Sequence, residues 1–253
     1  MEEQTTNFFR GQAAVYRAAR PEYPAELYAW LAAQAPARGL VWEAGAGSGQ
    51  ASVGLAEVFE RVVATDVAAE QIGRARPHPR VRYAVGPEAD SGLGSGAAHA
   101  VVAATAAHWF DLEAFWAEAR RVLAPGGLVA VWSYGSHRVE GDEGGAIDAA
   151  TSRYSSEVVG GYWSAKLDHI QSRYATLPFP FDALAPPELR ARKRVDLAGY
   201  MAYLGSWSAS QRYREAHGAE PLDLARAELE AAWGDPMRRR EVSWDIFMRA
   251  GRV

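Results

Sequence analysis

Apolar positions along the chain change rhythm twice. From about residue 40, short apolar runs alternate with stretches of helical period. Leu40–Ala44 reads as a strand that ends in glycines. Ala51, Leu55, Val58 and Phe59 then recur at i, i+4, i+7 and i+8, one face of a helix. Arg61–Thr65, Val81–Val85 and His99–Ala104 are further strand candidates. Leu112, Phe115, Trp116, Ala119, Val122 and Leu123 mark a second amphipathic helix, with Asp111 placed as its N-cap and Gly126-Gly127 as its stop. Leu128–Ser133 reads as a fifth strand. Strand–helix–strand alternation of this kind predicts a mostly parallel sheet covered on both faces.

After Tyr134 the rhythm breaks. Gly135–Gly145 is polar and glycine-rich and is expected to be a loop. Trp163, Leu167, Ile170 and Tyr174 fit a helix, and the prolines at 178, 180, 186 and 187 are breakers. Leu189–Val195 reads as a strand. Leu197, Tyr200, Met201 and Leu204 return to helical spacing. Leu222, Ala225, Leu229, Ala232 and Trp233 do so again, stopped by Gly234-Asp235-Pro236, and Glu241–Arg249 alternates like a last strand. Before the sheet, an aromatic and Arg-rich approach leads through Arg20-Pro21-Glu22-Tyr23-Pro24 into a helix from Ala25 to about Gln34. The division expected is a single domain over 1–253. It has an N-terminal lid (about 1–35), a sheet core (36–134), a helical insertion (135–187) and C-terminal strands and helices (188–253).

Composition narrows the chemistry. Among 253 residues, 49% are hydrophobic and 23% charged, in the range of a globular protein. There is no cysteine, which removes disulfides, thiolate nucleophiles and iron–sulfur clusters together. The net charge of −4 disfavours a general cationic surface for nucleic acid. Lys166 and Lys193 are the only lysines, so positive charge is almost all Arg. No apolar signal core stands near the N-terminus, and the longest apolar stretch, 97–110, is shorter than the about 20 residues a bilayer span needs. A cytoplasmic protein without a membrane or nucleic-acid partner is expected, as a monomer or homodimer. The six histidines show no metal-ligand spacing, so no metal is expected. The short basic clusters 190–194 and 238–240 read as solvated faces.

The strongest chemical signal is Trp42-Glu43-Ala44-Gly45-Ala46-Gly47-Ser48-Gly49-Gln50, between the first strand and the first helix of the sheet. Glycines there let the backbone turn sharply and approach a ligand, and the helix N-terminus offers free N–H groups. A dinucleotide site has G-x-G-x-x-G, but Gln50 fills its third glycine position. The G-x-G-x-G spacing behind Glu43 fits a compact nucleoside–amino-acid cofactor better than a pyrophosphate. Asp66, 21 residues after Gly45, closes the second strand where an acid can accept hydrogen bonds from ribose hydroxyls. His108-Trp109-Phe110 follows the fourth strand, at the carboxyl edge where open α/β sheets bind ligands. A His with a pKa near neutrality there would suit a general base for a hydroxyl acceptor; for a carboxylate acceptor it would only position. Trp109, Phe110, Trp132, Tyr134, Tyr162, Trp163 and Trp207 are candidates for an aromatic wall, worth about 0.5–2 kcal/mol against a cation. Trp116 and Trp233 fit the core. Tyr16 and Arg20 are lid candidates, and Arg17 and Arg20 could hold an acidic acceptor.

These motifs, together with Arg121-Val122-Leu123-Ala124-Pro125-Gly126-Gly127, resemble the class I S-adenosylmethionine-dependent methyltransferases. Arg20-Pro21-x-Tyr23-Pro24 and the HWFD segment resemble the trans-aconitate methyltransferase-like, small-molecule branch. The resemblance implies an α/β Rossmann-like sheet of seven strands, mostly parallel, with helices on both faces and an antiparallel last strand. It implies S-adenosylmethionine as cofactor. Glu43 would lie near its amino group, with Gly45, Ala46, Gly47, Ser48 and Gly49 along its methionine end. Asp66 would bind the ribose, and Val67, Ala68, Gln71, Ala89, Thr105 and Ala106 would complete the pocket. Glu88 and Asp90 compete for the adenine amino group. The chain departs from the family at His99, where Asp is usual, and at Thr105, where the branch often has Gln. The implied reaction is methyl transfer to a small-molecule carboxylate or hydroxyl oxygen, with His108 as the catalytic candidate. Tyr16, Arg20, His108, Trp109, Phe110, Trp132 and Tyr134 would sit around the acceptor. The alternatives are a nucleotide-dependent oxidoreductase, a non-catalytic cofactor-binding protein and, ranked low, a nucleic-acid methyltransferase. The last lacks the Asn/Asp-Pro-Pro-aromatic run that base-modifying enzymes carry after the fourth strand.

Overall fold

The computed structural model describes residues 20–142 and 145–253. Five β-strands with intervening helices run through the first part: α1 (Ala25–Gln34), β1 (Leu40–Ala44), α2 (Gln50–Val58), β2 (Arg61–Asp66), α3 (Ala69–Gly73), β3 (Val81–Val85), β4 (Ala98–Ala104), α4 (Leu112–Val122) and β5 (Leu123–Val139). The remainder comprises α5 (Ala146–Arg153), α6 (Asp168–Gln171), β6 (Asp182–Leu184), β7 (Leu189–Val195), α7 (Leu197–Gly205), α8 (Ser208–His217), α9 (Arg226–Trp233) and β8 (Arg240–Arg252).

Among the described residues the strands form one sheet in the order β3-β2-β1-β4-β5-β8-β6, with β7 also paired to β8. The first four pairings in that order are parallel, and β8 runs antiparallel to β5, β6 and β7. Seven strands are expected and eight are present, because the outer edge of β8 is shared by two segments. β6 pairs with Ala250–Arg252 and β7 with Arg240–Ile246. Pro186 and Pro187 separate them, and neither can donate to a ladder.

Alternation along the strands builds a core on each face. On β4, Ala100 and Val102 face one cluster with Val41, Leu55, Phe59 and Trp132. Val101 and Ala103 face the other, with Trp42, Phe115, Trp116 and Val131. Helices α1 and α2 cover the first face. Gly54 in α2 makes this close packing possible, since a Cβ there would stand 2.1 Å from the Tyr28 ring on α1. Helix α4 covers the second through Phe115, Trp116, Ala119 and Val122, and the Asp111 carboxylate caps it by accepting from the Ala114 N–H at 3.2 Å. Trp116 and Trp233 are both buried, as core residues.

Three expectations need correction. The loop predicted from Gly135 is strand as far as Val139, because His137–Val139 find partners in Val242–Trp244 after a bulge. The helix predicted through Trp163 and Tyr174 is a series of short turns around the four-residue α6. It ends where Arg173 and Tyr174 both take positive φ, 53° and 63°. The stop at Gly126-Gly127 comes late, since α4 gives way to β5 at Leu123. Helix α8 carries few apolar residues, and only Ala209 and Ser210 of it are buried. Contacts made across the fold hold α8, such as the Tyr154 hydroxyl to Ser210 Oγ at 2.6 Å. The basic run on β7 is paired, with Arg190 on Asp245 at 2.8 Å and Arg192 on Glu241 at 2.7 Å.

Candidate active site

At the carboxyl ends of β1, β2 and β4 the chain turns back on itself and leaves a cleft of about 2080 Å³. One end is made by the glycine loop. Gly45, Gly47 and Gly49 all have positive φ, the left-handed region open to glycine. Two of them need it for different reasons. A Cβ on Gly45 would stand 2.6 Å from Ala106 Cβ and 2.9 Å from the Phe110 ring, so glycine lets the segment after β4 close on the loop. A Cβ on Gly47 would meet nothing within 4 Å, because that face looks into the cleft.

Asp66 ties the loop to β2. Its carboxylate accepts from the Gly47 N–H at 2.8 Å and from the Ala68 N–H at 2.8 Å. Burial raises its pKa, and those two backbone donors oppose the rise. Glu43 is buried at the cleft floor and accepts from the Ser52 hydroxyl at 2.5 Å. Burial pushes its carboxyl up to about 8, with the Ser52 hydrogen bond acting in the other direction. A buried acid with one donor, beside a backbone face open to the cleft, suits a ligand bringing a cation and hydroxyl groups.

The structure separates the two acids after β3. Glu88 lines the cleft and accepts from the Asp111 N–H at 2.9 Å, whereas Asp90 turns back to the Gly92 N–H at 3.0 Å. Ala46, Ser48, Val67, Ala68, Gln71, Ala89, Thr105 and Ala106 line the cleft with Gly45, Gly47, Glu43 and Asp66. Gly49 does not. It is the left-handed N-cap of α2, packed against Tyr83. His99 lies at the other end of β4, its Nδ1 accepting from the Leu40 N–H at 3.2 Å.

The other end of the cleft is walled by the insertion and by helices α7 and α8. His108, Trp109, Tyr134 and Arg20 line it, and Phe110 lines the cleft beside Gly45. Arg20 donates to the Ser206 carbonyl at 3.0 Å and to the Tyr134 hydroxyl at 3.3 Å, with its guanidinium 5.7 Å from the Tyr203 ring centre. Trp163 and Trp207 also line the cleft, 5.5 Å apart between ring centres. Tyr16 falls outside the described residues. Trp132 is a correction: its side chain is 0% exposed and belongs to the core behind the cleft, since its position on β5 points it into the sheet face under α1 and α2. Tyr162 also stays off the wall, bonded to His217.

His108 differs from the expected near-neutral histidine. It is buried, and desolvation, helped by His169 and Lys166, lowers its pKa to about 3. The ring is therefore neutral at physiological pH and a weak base. Its Nδ1 lies 3.2 Å from the Tyr174 hydroxyl.

Several lining residues escape a sequence reading. Tyr203, Trp207, Gln211 and Glu215 recur every four residues and all face the cleft, across the break between α7 and α8. That spacing is visible in the sequence, but the break hides it. His137 and Arg138 reach the wall only because β5 continues past Tyr134. His137 is half-buried among Tyr200, Tyr203 and Trp244, its Nε2 2.7 Å from the Tyr200 hydroxyl, and desolvation lowers its pKa to about 4. Among the described residues no group of three His, Asp or Glu could hold a metal ion, and no helix is long and apolar enough to cross a membrane.

Known proteins match this arrangement. Residues 42–131 match the methyltransferase domain family. A structure from Anaeromyxobacter dehalogenans, provisionally named a type II methyltransferase, is 46% identical, covers 92% of this chain and 97% of its own, and superposes with a TM-score of 0.83. A Dictyostelium discoideum protein provisionally named a methyltransferase is 28% identical over 239 residues, 92% of this chain and 90% of that one. An uncharacterised Mycobacterium tuberculosis methyltransferase is 34% identical over 133 residues, 52% of this chain and 54% of its own length. With the glycine loop, the acid at the end of β2 and the sheet order all in place, the chain belongs to the class I S-adenosylmethionine-dependent methyltransferases.

Proposed function

We propose that this methyltransferase acts on a small molecule and delivers the methyl group to an oxygen that enters the cleft already ionised, a carboxylate before a hydroxyl. The state of His108 carries this reading. A neutral imidazole whose pKa burial lowers to about 3 is poorly matched to removing a hydroxyl proton near pH 7. A carboxylate needs no base. The charge of the insertion end agrees: Arg20, Arg138, Lys166, Arg173 and Arg212 line it against Asp148 and Glu215.

When bound, S-adenosylmethionine supplies a methyl carbon on a sulfonium, so a C–O bond forms as the C–S bond breaks. The chain's own work is to hold and to exclude water. Glu43 would face the cofactor's ammonium, which would favour the ionised carboxylate. The loop from Gly45 to Ser48 would give its backbone to the methionine end. Asp66 would accept from the ribose hydroxyls, while Val67, Ala68, Gln71, Glu88 and Ala89 would surround the adenine. Thr105 and Ala106 would complete the pocket. Trp109 and Tyr134 shape the acceptor side, and Arg20 braces Tyr134 against α7.

The test is label transfer from methyl-tritiated S-adenosylmethionine to a panel of small carboxylic acids, phenols, alcohols and amines, preceded by calorimetry with S-adenosylhomocysteine. Label on an acid, released as methanol by mild base, is the expected result. Base-stable label on an alcohol or amine overturns the carboxylate assignment. No calorimetric signal at millimolar S-adenosylhomocysteine overturns the cofactor assignment.

A further inference from the structure

Tyr174 lies far along the insertion, yet its ring is fully buried, packed at 86° on Phe247 with 5.1 Å between centres. Two consecutive left-handed residues, Arg173 and Tyr174, put it there, and Arg249 holds the Tyr174 carbonyl at 3.2 Å. Such a backbone disfavours residues with a Cβ, and strain of this sort gathers at functional sites. The strained kink delivers one polar atom, the phenol oxygen, to Nδ1 of His108 at 3.2 Å.

The direction of that hydrogen bond follows from burial. The Tyr174 phenol is shut away from water, so its hydrogen needs an acceptor, and the His108 Nδ1 lies in reach at 3.2 Å. A histidine that accepts at Nδ1 carries its proton on Nε2. His108 borders the cleft, so that Nε2–H is the group it offers there.

We propose that Tyr174 is a positioning residue that fixes His108 as a neutral Nε2–H donor toward the cleft, so that the histidine holds the acceptor's oxygen by a hydrogen bond and takes no proton from it. The clause about the acceptor rests on the carboxylate reading above; the tautomer does not. Nitrogen-15 NMR of the histidine rings in the full chain tests it without any substrate, with His108→Gln used to assign the signal. The expected wild-type signal is a single Nε2–H tautomer that stays neutral down to pH 5. Tyr174→Phe removes the donor and is expected to give a mixture of tautomers while S-adenosylhomocysteine affinity stays within twofold. On an accepted acid, the same variant is expected to raise KM about tenfold with a smaller change in kcat. A wild-type Nδ1–H tautomer overturns the proposal even if Tyr174→Phe does not fold. So do ring signals unchanged in a folded Tyr174→Phe protein. A base-stable methyl product with an Nε2–H histidine would overturn the carboxylate reading alone.

Discussion

The two ends of the cleft are made in opposite ways. The glycine-loop end uses backbone and short-range structure. Residues 43–48, 66–68 and 86–89 each sit within a few positions of a strand end, held by turns such as Gly49 N–H to Ala46 O at 2.9 Å and by ties between adjacent strand ends such as Gly47 N–H to Asp66 at 2.8 Å. The insertion end uses side chains that are remote in sequence. Arg20 reaches Ser206, Lys166 reaches the Trp109 carbonyl at 2.8 Å, and Tyr174 reaches His108. The first end can be conserved in shape by a local motif. The second depends on every long connection that brings its walls together, which makes it the natural place for specificity to vary.

The largest expected effect breaks the first end alone. Gly47→Val forces a β-branched residue into a left-handed backbone, costing about 1–2 kcal/mol or more, and fills the open face of the loop. Loss of S-adenosylhomocysteine binding by at least about 100-fold in calorimetry is expected, with an unchanged circular dichroism spectrum. Binding within a few-fold of wild type would mean the loop does not meet the cofactor.

Next comes a test of core against wall. Trp132→Ala is expected to lower global stability by about 3–5 kcal/mol in urea unfolding, the range for emptying a buried aromatic site. Trp163→Ala, in the wall, is expected to cost far less stability and to change acceptor KM with cofactor affinity unchanged. The reverse order of stabilities would put Trp132 back on the wall.

A smaller effect is expected at Asp66. Asp66→Ala leaves the Gly47 and Ala68 N–H groups without their acceptor. Cofactor affinity is expected to fall about tenfold to 100-fold, in line with about 1.5–3 kcal/mol for hydrogen bonds to a charged group. Acceptor KM at saturating cofactor should hardly move, and a large change there would show that the two ends are coupled.

The smallest effect is a pH dependence. The Glu43 carboxyl rises from 4.5 to about 8 in the folded chain, so the native state holds a proton that the unfolded state releases. Its contribution to stability is fully present below about pH 4.5 and is lost as pH rises through about 8. Glu43→Gln is expected to flatten this part of the Tm–pH curve, read by calorimetric melting between pH 5 and 9. Parallel curves for the two proteins would show Glu43 to be ionised throughout.

Legibility followed the same divide. Strands β1, β3 and β7 run over the residues that the apolar pattern predicts, because alternation and bounding glycines are local signals. Asp111 as N-cap is legible for the same reason. The cofactor class was visible in the glycine spacing and Asp66, since a βα turn and the helix after it are only about ten residues long. That Glu88 lines the cleft while Asp90 turns back to Gly92 was not, because Glu88 is held by the Asp111 N–H, 23 residues on in the chain. Trp132 and Trp163 look alike in the sequence. One lies inside the sheet and the other over the cleft, and only the packing distinguishes them.

By itself, then, the sequence determined the parallel sheet, its glycine loop and the acid that answers it, because each follows from period, propensity and the backbone freedom of neighbouring residues. The tertiary structure alone decided that β5 runs on to Val139, that one sheet edge is filled by two strands, and that His108 is a buried neutral ring facing Tyr174. Those outcomes turn on pairing and desolvation between segments far apart in the chain. No local pattern records them, because the partner that supplies the hydrogen bond or removes the water is chosen only when the chain has folded.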